Sequence, residues 1–437
     1  MKTLIKNGRV VDPSQDIDDV MDVLIEKDKV AALGHDLRVY DARVIDAAGM
    51  LVTPGLVDMH VHLREPGYEY KENIQSGTRA AAAGGFTSVA CMPNTNPVAD
   101  NKIVIEYIKS RAAQGCGVNV YPIGAITKGL EGRELASIGG MKKAGIVGIS
   151  DDGKPVMNAR IMENALRYAA MFDLPVISHC EDSNLAGGGM INDGLVSTIT
   201  GLKGIPSEAE TVMVSRDILL ANRTKGRLHI AHVSAAMTVE VIRWAREMGI
   251  NVTAEATPHH FSLTEDVLRD FNTNAKVNPP LRSEEDVEAV IQGLKEGVID
   301  VIATDHAPHA LDDKDVEFDR ADFGISGIET AVAVTLTYLV DTGKLSLKQA
   351  VEKLTINPAK ILGIDRGTLK KGAIADVTII DPELKKRVNA SEFLSKGKNT
   401  PFDDMELKGW PVLTIAAGKV IWCAEGLKED TNIHAVV

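Results

Sequence analysis

The clearest reactive pattern in the chain is a pair of histidines one residue apart, His60 and His62 in DMHVH. Residues i and i+2 of a strand project to the same side, so the pair can offer two imidazoles to one cation. Further on come His179, His232 and Asp305, each near the end of a short apolar run, and the adjacent acids Asp151 and Asp152 in SDDG. Four imidazoles and two carboxylates brought to one place pack poorly unless cations neutralise and coordinate them. Two divalent ions sharing a bridging carboxylate, from either Asp151 or Asp152, is the economical arrangement. Nitrogen and oxygen ligation without thiolate suits zinc. Arg64 stands two residues after His62, on the same face of the strand exit, and its planar fork matches a carboxylate. Asn94 can supply amide donors. Cys180 adjoins His179 but faces the other way on an extended strand, which marks it as core.

These residues need a frame that gathers distant segments to one rim. Between about residues 53 and 345 one phrase recurs eight times: a short β-branched apolar run, a polar cluster, then an amphipathic stretch. The runs cover residues 56–62, 86–93, 118–126, 145–150, 175–181, 227–234, 250–260 and 299–308. Most are continuously apolar, as strands buried on both faces of a parallel sheet are. Helices are expected over 158–172, 207–223, 235–248 and 283–297, with Ser207 and Ser283 as N-caps and Glu210 and Asp286 three residues on. Eight strand–helix units with polar residues at the strand ends fit a (β/α)8 TIM barrel; an open sheet would concentrate them at one switch point. The barrel is expected over 53–365. Residues 1–52 and 366–437 read as short strands and turns, too small to fold separately, and are expected to pair into one small β-sandwich-like domain built from both ends of the chain. His35 and His434 fall in that domain and His229 lies on the far face of its strand, so all three read as structural. His259 and His260 read as structural or supporting residues on the rim.

Composition limits the partners. Lys plus Arg number 48 and Asp plus Glu 61, so 48 − 61 gives a net charge of −13. No cationic block is present, which argues against nucleic acid or a membrane surface as partner. The four cysteines are scattered without a CxxC pair, which predicts a reducing compartment. No apolar run approaches the roughly 18 residues of a membrane span, and the N-terminus lacks a secretory apolar region, so the expected location is the cytoplasm.

The motifs, taken in order, resemble those of the amidohydrolase superfamily, and within it the bacterial type of dihydroorotase with a carboxylate metal bridge. The blocks are DMHVHLREPG (58–67), MPNTNP (92–97), SDDG (150–153), SHCED (178–182), AHVS (231–234), EATPHH (255–260), KVNPPLR (276–282) and ATDHAPH (303–309). They span essentially the whole chain. The resemblance implies reversible, zinc-dependent interconversion of dihydroorotate and N-carbamoyl-L-aspartate, a step of pyrimidine biosynthesis. It implies His60, His62 and Asp305 on one metal, His179 and His232 on the second, and Asp152 between them, with one or two zinc ions per chain and two favoured. Relatives such as hydantoinases bridge with a carbamylated lysine at the fourth strand; here Lys154 lies past Gly153 in the turn. The resemblance assigns substrate binding to His62, Arg64, Asn94, Asn278 and His309, and to backbone at the Phe323–Gly324 step. Asp305, beside a metal-activated water, is well placed to take its proton and return it to the departing ring nitrogen. Residues 310–327, charged and containing glycine, have the composition of a mobile loop or lid over the mouth. The partners expected are a small-molecule substrate, a second copy in a homodimer, and aspartate carbamoyltransferase as a candidate partner enzyme.

Two rival readings lead elsewhere. A hydantoinase, dihydropyrimidinase or allantoinase would share metals and fold, but Arg64, Asn94 and the carboxylate bridge favour a carboxylated ring. A non-catalytic scaffold supporting a partner enzyme would have lost metal histidines, and this chain keeps all four.

Overall fold

A computed structural model describes residues 2–425; His434 lies outside them. The chain enters through β1 (Lys2–Asp12), β2 (Ile17–Glu26), β3 (Lys29–Gly34), β4 (Ala42–Asp46) and β5 (Leu51–Pro54). Gly55 then hands the chain to β6 (Leu56–Val61), β7 (Phe86–Cys91), β8 (Asn119–Ala125), β9 (Gly148–Ser150) and β10 (Pro175–Ser178). A small two-stranded insert follows, β11 (Ile191–Asn192) with β12 (Gly204–Ile205), before β13 (Arg227–Ile230), β14 (Val252–Ala256) and β15 (Val301–Ile302). Strands β16 (Val377–Arg387), β17 (Glu406–Ala416) and β18 (Lys419–Cys423) close the described chain.

Strands β6 to β10 and β13 to β15 form one parallel sheet in that order. It rolls up: Val61 pairs with His306 in a parallel bridge, and the His62 N–H donates to the His306 carbonyl at 2.8 Å. This is the (β/α)8 barrel expected from the eight apolar runs. All six residues of β6 and of β7 are buried, because barrel strands meet side chains inside and helices outside.

The helices follow their sequence signals with one exception. Ser283 caps the helix Glu284–Glu296 in a reciprocal box with Asp286; Val287, Val290, Ile291 and Leu294 form its buried face, and Gly297 at φ +77° ends it. Ser207 makes no such side-chain cap for Glu208–Thr224. Glu210, the expected reciprocal partner, is 3% exposed and is turned inward, where it accepts from the Ser234 and Ala235 N–H groups at 3.2 Å. A tertiary contact has overridden the local one.

Both chain ends build a single sheet in the order β18-β17-β16-β5-β1-β2-β3, with β4 on β1. Its centre is the antiparallel pairing of β5 with β16, Thr53 opposite Thr378. Ile5, Val10, Val23 and Val52 share one core with Val377, Ile379, Leu413 and Ile415. Truncating one such leucine or isoleucine to alanine costs about 2–5 kcal/mol. Gly55 is required at the crossing, since a Cβ there would lie 2.3 Å from Thr87 Oγ1.

Residues 310–327 are packed against the rim. Lys314 is buried and its ammonium donates to the carbonyls of Thr273 at 2.9 Å, Lys276 at 3.3 Å and Asp322 at 2.6 Å. No helix among the described residues is long and apolar enough to cross a membrane.

Candidate active site

His60 lies within β6 and His62 one residue past it; Asp152, His179, His232 and Asp305 lie one to three residues beyond β9, β10, β13 and β15. The barrel therefore brings residues separated by up to 245 positions to one rim. His60 Nε2 stands 3.2 Å from Asp152 Oδ1 and 3.4 Å from Asp305 Oδ1. His62 Nε2 is 2.9 Å from Asp305 Oδ1 and 3.4 Å from Asp152 Oδ2. On the other side, His179 Nδ1 and His232 Nε2 are 2.9 Å apart and lie 3.9 and 3.8 Å from Asp152 Oδ1. Three sets of potential ligand atoms thus overlap: His60, His62 and Asp152; Asp152, His179 and His232; and His60, His232 and Asp305.

The donor set fits divalent cations. His60 Nε2 and Asp152 Oδ1 are buried and lack a hydrogen-bond partner, an arrangement that is unfavourable for lone pairs unless something positive sits between them. Asp151 is turned away, its Oδ1 accepting from the N–H groups of Ile126 at 2.8 Å and Thr127 at 3.0 Å. Lys154 is exposed and outside the cluster. Burial opposes ionisation of Asp152 and Asp305, but the surrounding imidazoles, His60 foremost, outweigh it and hold both carboxyls well below the usual range. At the site Arg64, His232 and Asp305 adopt φ of +58°, +32° and +47°, sparsely populated for residues with a Cβ.

A cavity of about 150 Å³ opens in front of the centre. His62, Asp152, His179, His232 and Asp305 line one side, and Arg64, Asn94, Asn278, Phe323 and Gly324 contribute the rest of the predicted set. His60 sits beneath, fully buried. His309 stands behind Arg64, its Nε2 3.2 Å from the guanidinium. Gly324, at φ +147°, can only be glycine: a Cβ would meet the Ala307 carbonyl at 2.6 Å. Arg64 is the cation directed at this space, with its Nε donating to the Pro308 carbonyl at 3.2 Å.

The contacts of three residues were not anticipated from sequence. Lys71 donates to His309 Nδ1 at 3.1 Å and to Asp322 at 2.7 Å, tying the 310–327 segment to the exit of β6. Each ring nitrogen of His309 faces a cation and an acceptor: Nδ1 lies 3.1 Å from Lys71 Nζ and 3.2 Å from Asp322 Oδ2, and Nε2 lies 3.2 Å from the Arg64 guanidinium and 2.8 Å from the Phe323 carbonyl. Burial lowers the His309 pKa to about 4 despite the Asp322 carboxylate, with Arg64 and Lys71 adding to the fall. Glu181 accepts from Asn278 Nδ2 at 2.8 Å, leaving the Asn278 oxygen as an acceptor. Glu255, an acid inside an apolar strand, accepts from His60 Nδ1 at 2.6 Å and from His229 Nε2 at 3.1 Å. A lone charge in the middle of a buried run was the available signal for it. His260 spans Thr257 and the Pro279 carbonyl as a brace.

A parallel eight-stranded barrel carrying adjoining imidazole and carboxylate clusters at its C-terminal rim defines an amidohydrolase. Residues 49–238 match the model of the dihydro-orotase-like family and residues 208–422 that of the amidohydrolase family. The chain is 58% identical over 421 residues to the dihydroorotase of Pelotomaculum thermopropionicum, covering 96% of this chain and 98% of that one. It is 54% identical over 418 residues to the dihydroorotase of Acetivibrio thermocellus, covering 96% and 98%. Among solved structures, the L-hydantoinase (dihydropyrimidinase) from Arthrobacter aurescens superposes with a TM-score of 0.87 at 30% identity, covering 96% of this chain and 95% of that one. The chain belongs to the dihydroorotase family and is a cyclic amidohydrolase.

Proposed function

We propose that the protein is a metal-dependent dihydroorotase that interconverts (S)-dihydroorotate and N-carbamoyl-L-aspartate in pyrimidine biosynthesis. The observation that carries this reading is near-full-length identity of 58% to a dihydroorotase, and the half-buried Arg64 on the cavity wall supports it. A dihydropyrimidine ring bearing a carboxylate needs a cation at that position, and the plain rings of hydantoin or dihydrouracil do not. In the proposed reaction His60, His62 and Asp305 would hold one metal ion and His179 and His232 a second, with Asp152 within reach of both sets. Zinc is favoured by the all N/O donor set, and two ions by the membership of Asp152 in both the His60–His62 and the His179–His232 sets. When bound, the ions supply Lewis acidity for activating water and polarising the amide carbonyl.

The remaining steps belong to the chain. Arg64 binds the substrate carboxylate, with Asn94, Asn278 and His309 fixing the ring beside it and the Phe323–Gly324 backbone bounding the cavity. Asp305 Oδ1 accepts the proton of the attacking water and delivers it to the ring nitrogen as the carbon–nitrogen bond breaks. Ring closure retraces the same path. The free thiols of Cys91, Cys116 and Cys180 suit a reducing, cytoplasmic setting. A homodimer is the proposed assembly, with aspartate carbamoyltransferase as candidate partner, to be checked by sedimentation of each alone and mixed.

The deciding experiment assays purified protein side by side on dihydroorotate, hydantoin, dihydrouracil and allantoin, together with its metal content. Turnover of dihydroorotate alone, with one or two zinc ions per chain and inactivation by a chelator, is expected. Preference for hydantoin or dihydrouracil, or full activity without metal, rejects the assignment.

A further inference from the structure

Glu255 has no part in the reaction described above, yet it lies directly behind the centre. It is on β14, 0% exposed, and it accepts from three donors. Oε1 receives His60 Nδ1–H at 2.6 Å and the His232 backbone N–H at 3.3 Å; Oε2 receives His229 Nε2–H at 3.1 Å. An ionised carboxylate only accepts, so both imidazoles must turn an N–H toward it. His229 is fixed in turn, because its Nδ1 lies within hydrogen-bond reach of the Thr253 hydroxyl at 2.9 Å. His60 then presents a bare Nε2 to the cluster, buried without a hydrogen-bond partner and 3.2 Å from Asp152 Oδ1. Were packing the only requirement, an apolar side chain would serve, since a buried charge costs several kcal/mol unless its lone pairs are occupied. The contacts converge on Glu255: Thr253 braces His229, and His229 and His60 both donate to the carboxylate.

We propose that Glu255 is a positioning residue that fixes the tautomer of His60, keeping Nε2 free to bind metal, and that His229 and Thr253 hold Glu255 in that orientation. The inference rests on the metal-centre reading given above. Glutamine at this position cannot accept from both imidazoles at once. Its amide would face one of them, and facing His60 it would force the proton onto Nε2.

The test is zinc affinity of the folded protein, measured by competition with a chromophoric chelator, for the wild type, Glu255→Gln and His229→Gln. Affinity is expected to fall roughly 10- to 100-fold in Glu255→Gln and less in His229→Gln, with circular dichroism unchanged. Nitrogen-15 imidazole spectra of the zinc-loaded wild type should show the His60 proton on Nδ1, a readout independent of whether any variant folds. Wild-type affinity in a folded Glu255→Gln, or a His60 proton on Nε2 in the wild type, overturns the inference alone. A wild type that takes up no zinc overturns the metal-centre reading, and the inference falls with it.

Discussion

Asn94 Oδ1 accepts the Nδ1–H of His62 at 2.9 Å. The residue expected to give its amide to substrate therefore also decides which nitrogen of His62 faces the cluster, while its own Nδ2 lies 3.5 Å from Asp152 Oδ2. Asn94→Leu should remove both contacts. We expect kcat to drop at least about tenfold and metal to be withdrawn by chelator more readily, on the order of 10- to 100-fold. A variant with raised KM and unaltered kcat would confine Asn94 to substrate contact.

Asp305→Ala tests the base. Turnover should fall roughly 10²- to 10⁴-fold, and thermal unfolding should show the fold retained. The residue sits at φ +47°, so alanine keeps the positive-φ backbone and removes the carboxylate, and metal content measured alongside separates loss of the base from loss of a ligand. Turnover close to normal would reassign the proton transfer.

Arg64→Met separates the substrate classes. Losing a charge-assisted hydrogen bond costs about 1.5–3 kcal/mol, so kcat/KM on dihydroorotate should fall on the order of 10- to 100-fold further than on hydantoin. Equal losses on both rings would show that the guanidinium serves the architecture, through its bond to the Pro308 carbonyl, and not the carboxylate.

Much of this arrangement was legible in the sequence, for identifiable reasons. The eight continuously apolar runs revealed the barrel because strands covered on both faces have no polar alternation to hide behind. The candidate ligands could be picked out because His60 and His62 share one strand period and the others end apolar runs, and the barrel brings them to one rim. What escaped was the layer behind them. Glu181, Lys71 and Glu255 act through partners 97, 238 and 195 residues away, and no local spacing encodes such pairs. Glu210 shows the converse: its helix-start spacing was sound locally, and Ser234 claimed it instead.

His309 gives a pH signature. Its pKa falls from 6.5 in the unfolded chain to about 4 when folded, so the folded state binds this proton more weakly. Its contribution to stability is therefore complete above about pH 6.5 and is lost as pH drops from there through 4. Relative to His309→Asn, the wild type should lose stability across that window in urea titrations at successive pH values. Parallel profiles for the two proteins would mean that His309 titrates normally.

The pairing of β5 with β16 joins Thr53 to Thr378, 325 positions apart. During synthesis at roughly 5–20 residues per second, the second strand follows the first by tens of seconds. For that interval β5 presents unsatisfied amides and carbonyls along one margin, a template on which neighbouring nascent polypeptides can add. Chains released before residue 377 never acquire the covering strand, so prematurely terminated products should aggregate through their N-terminal segment even when much of the barrel has been made.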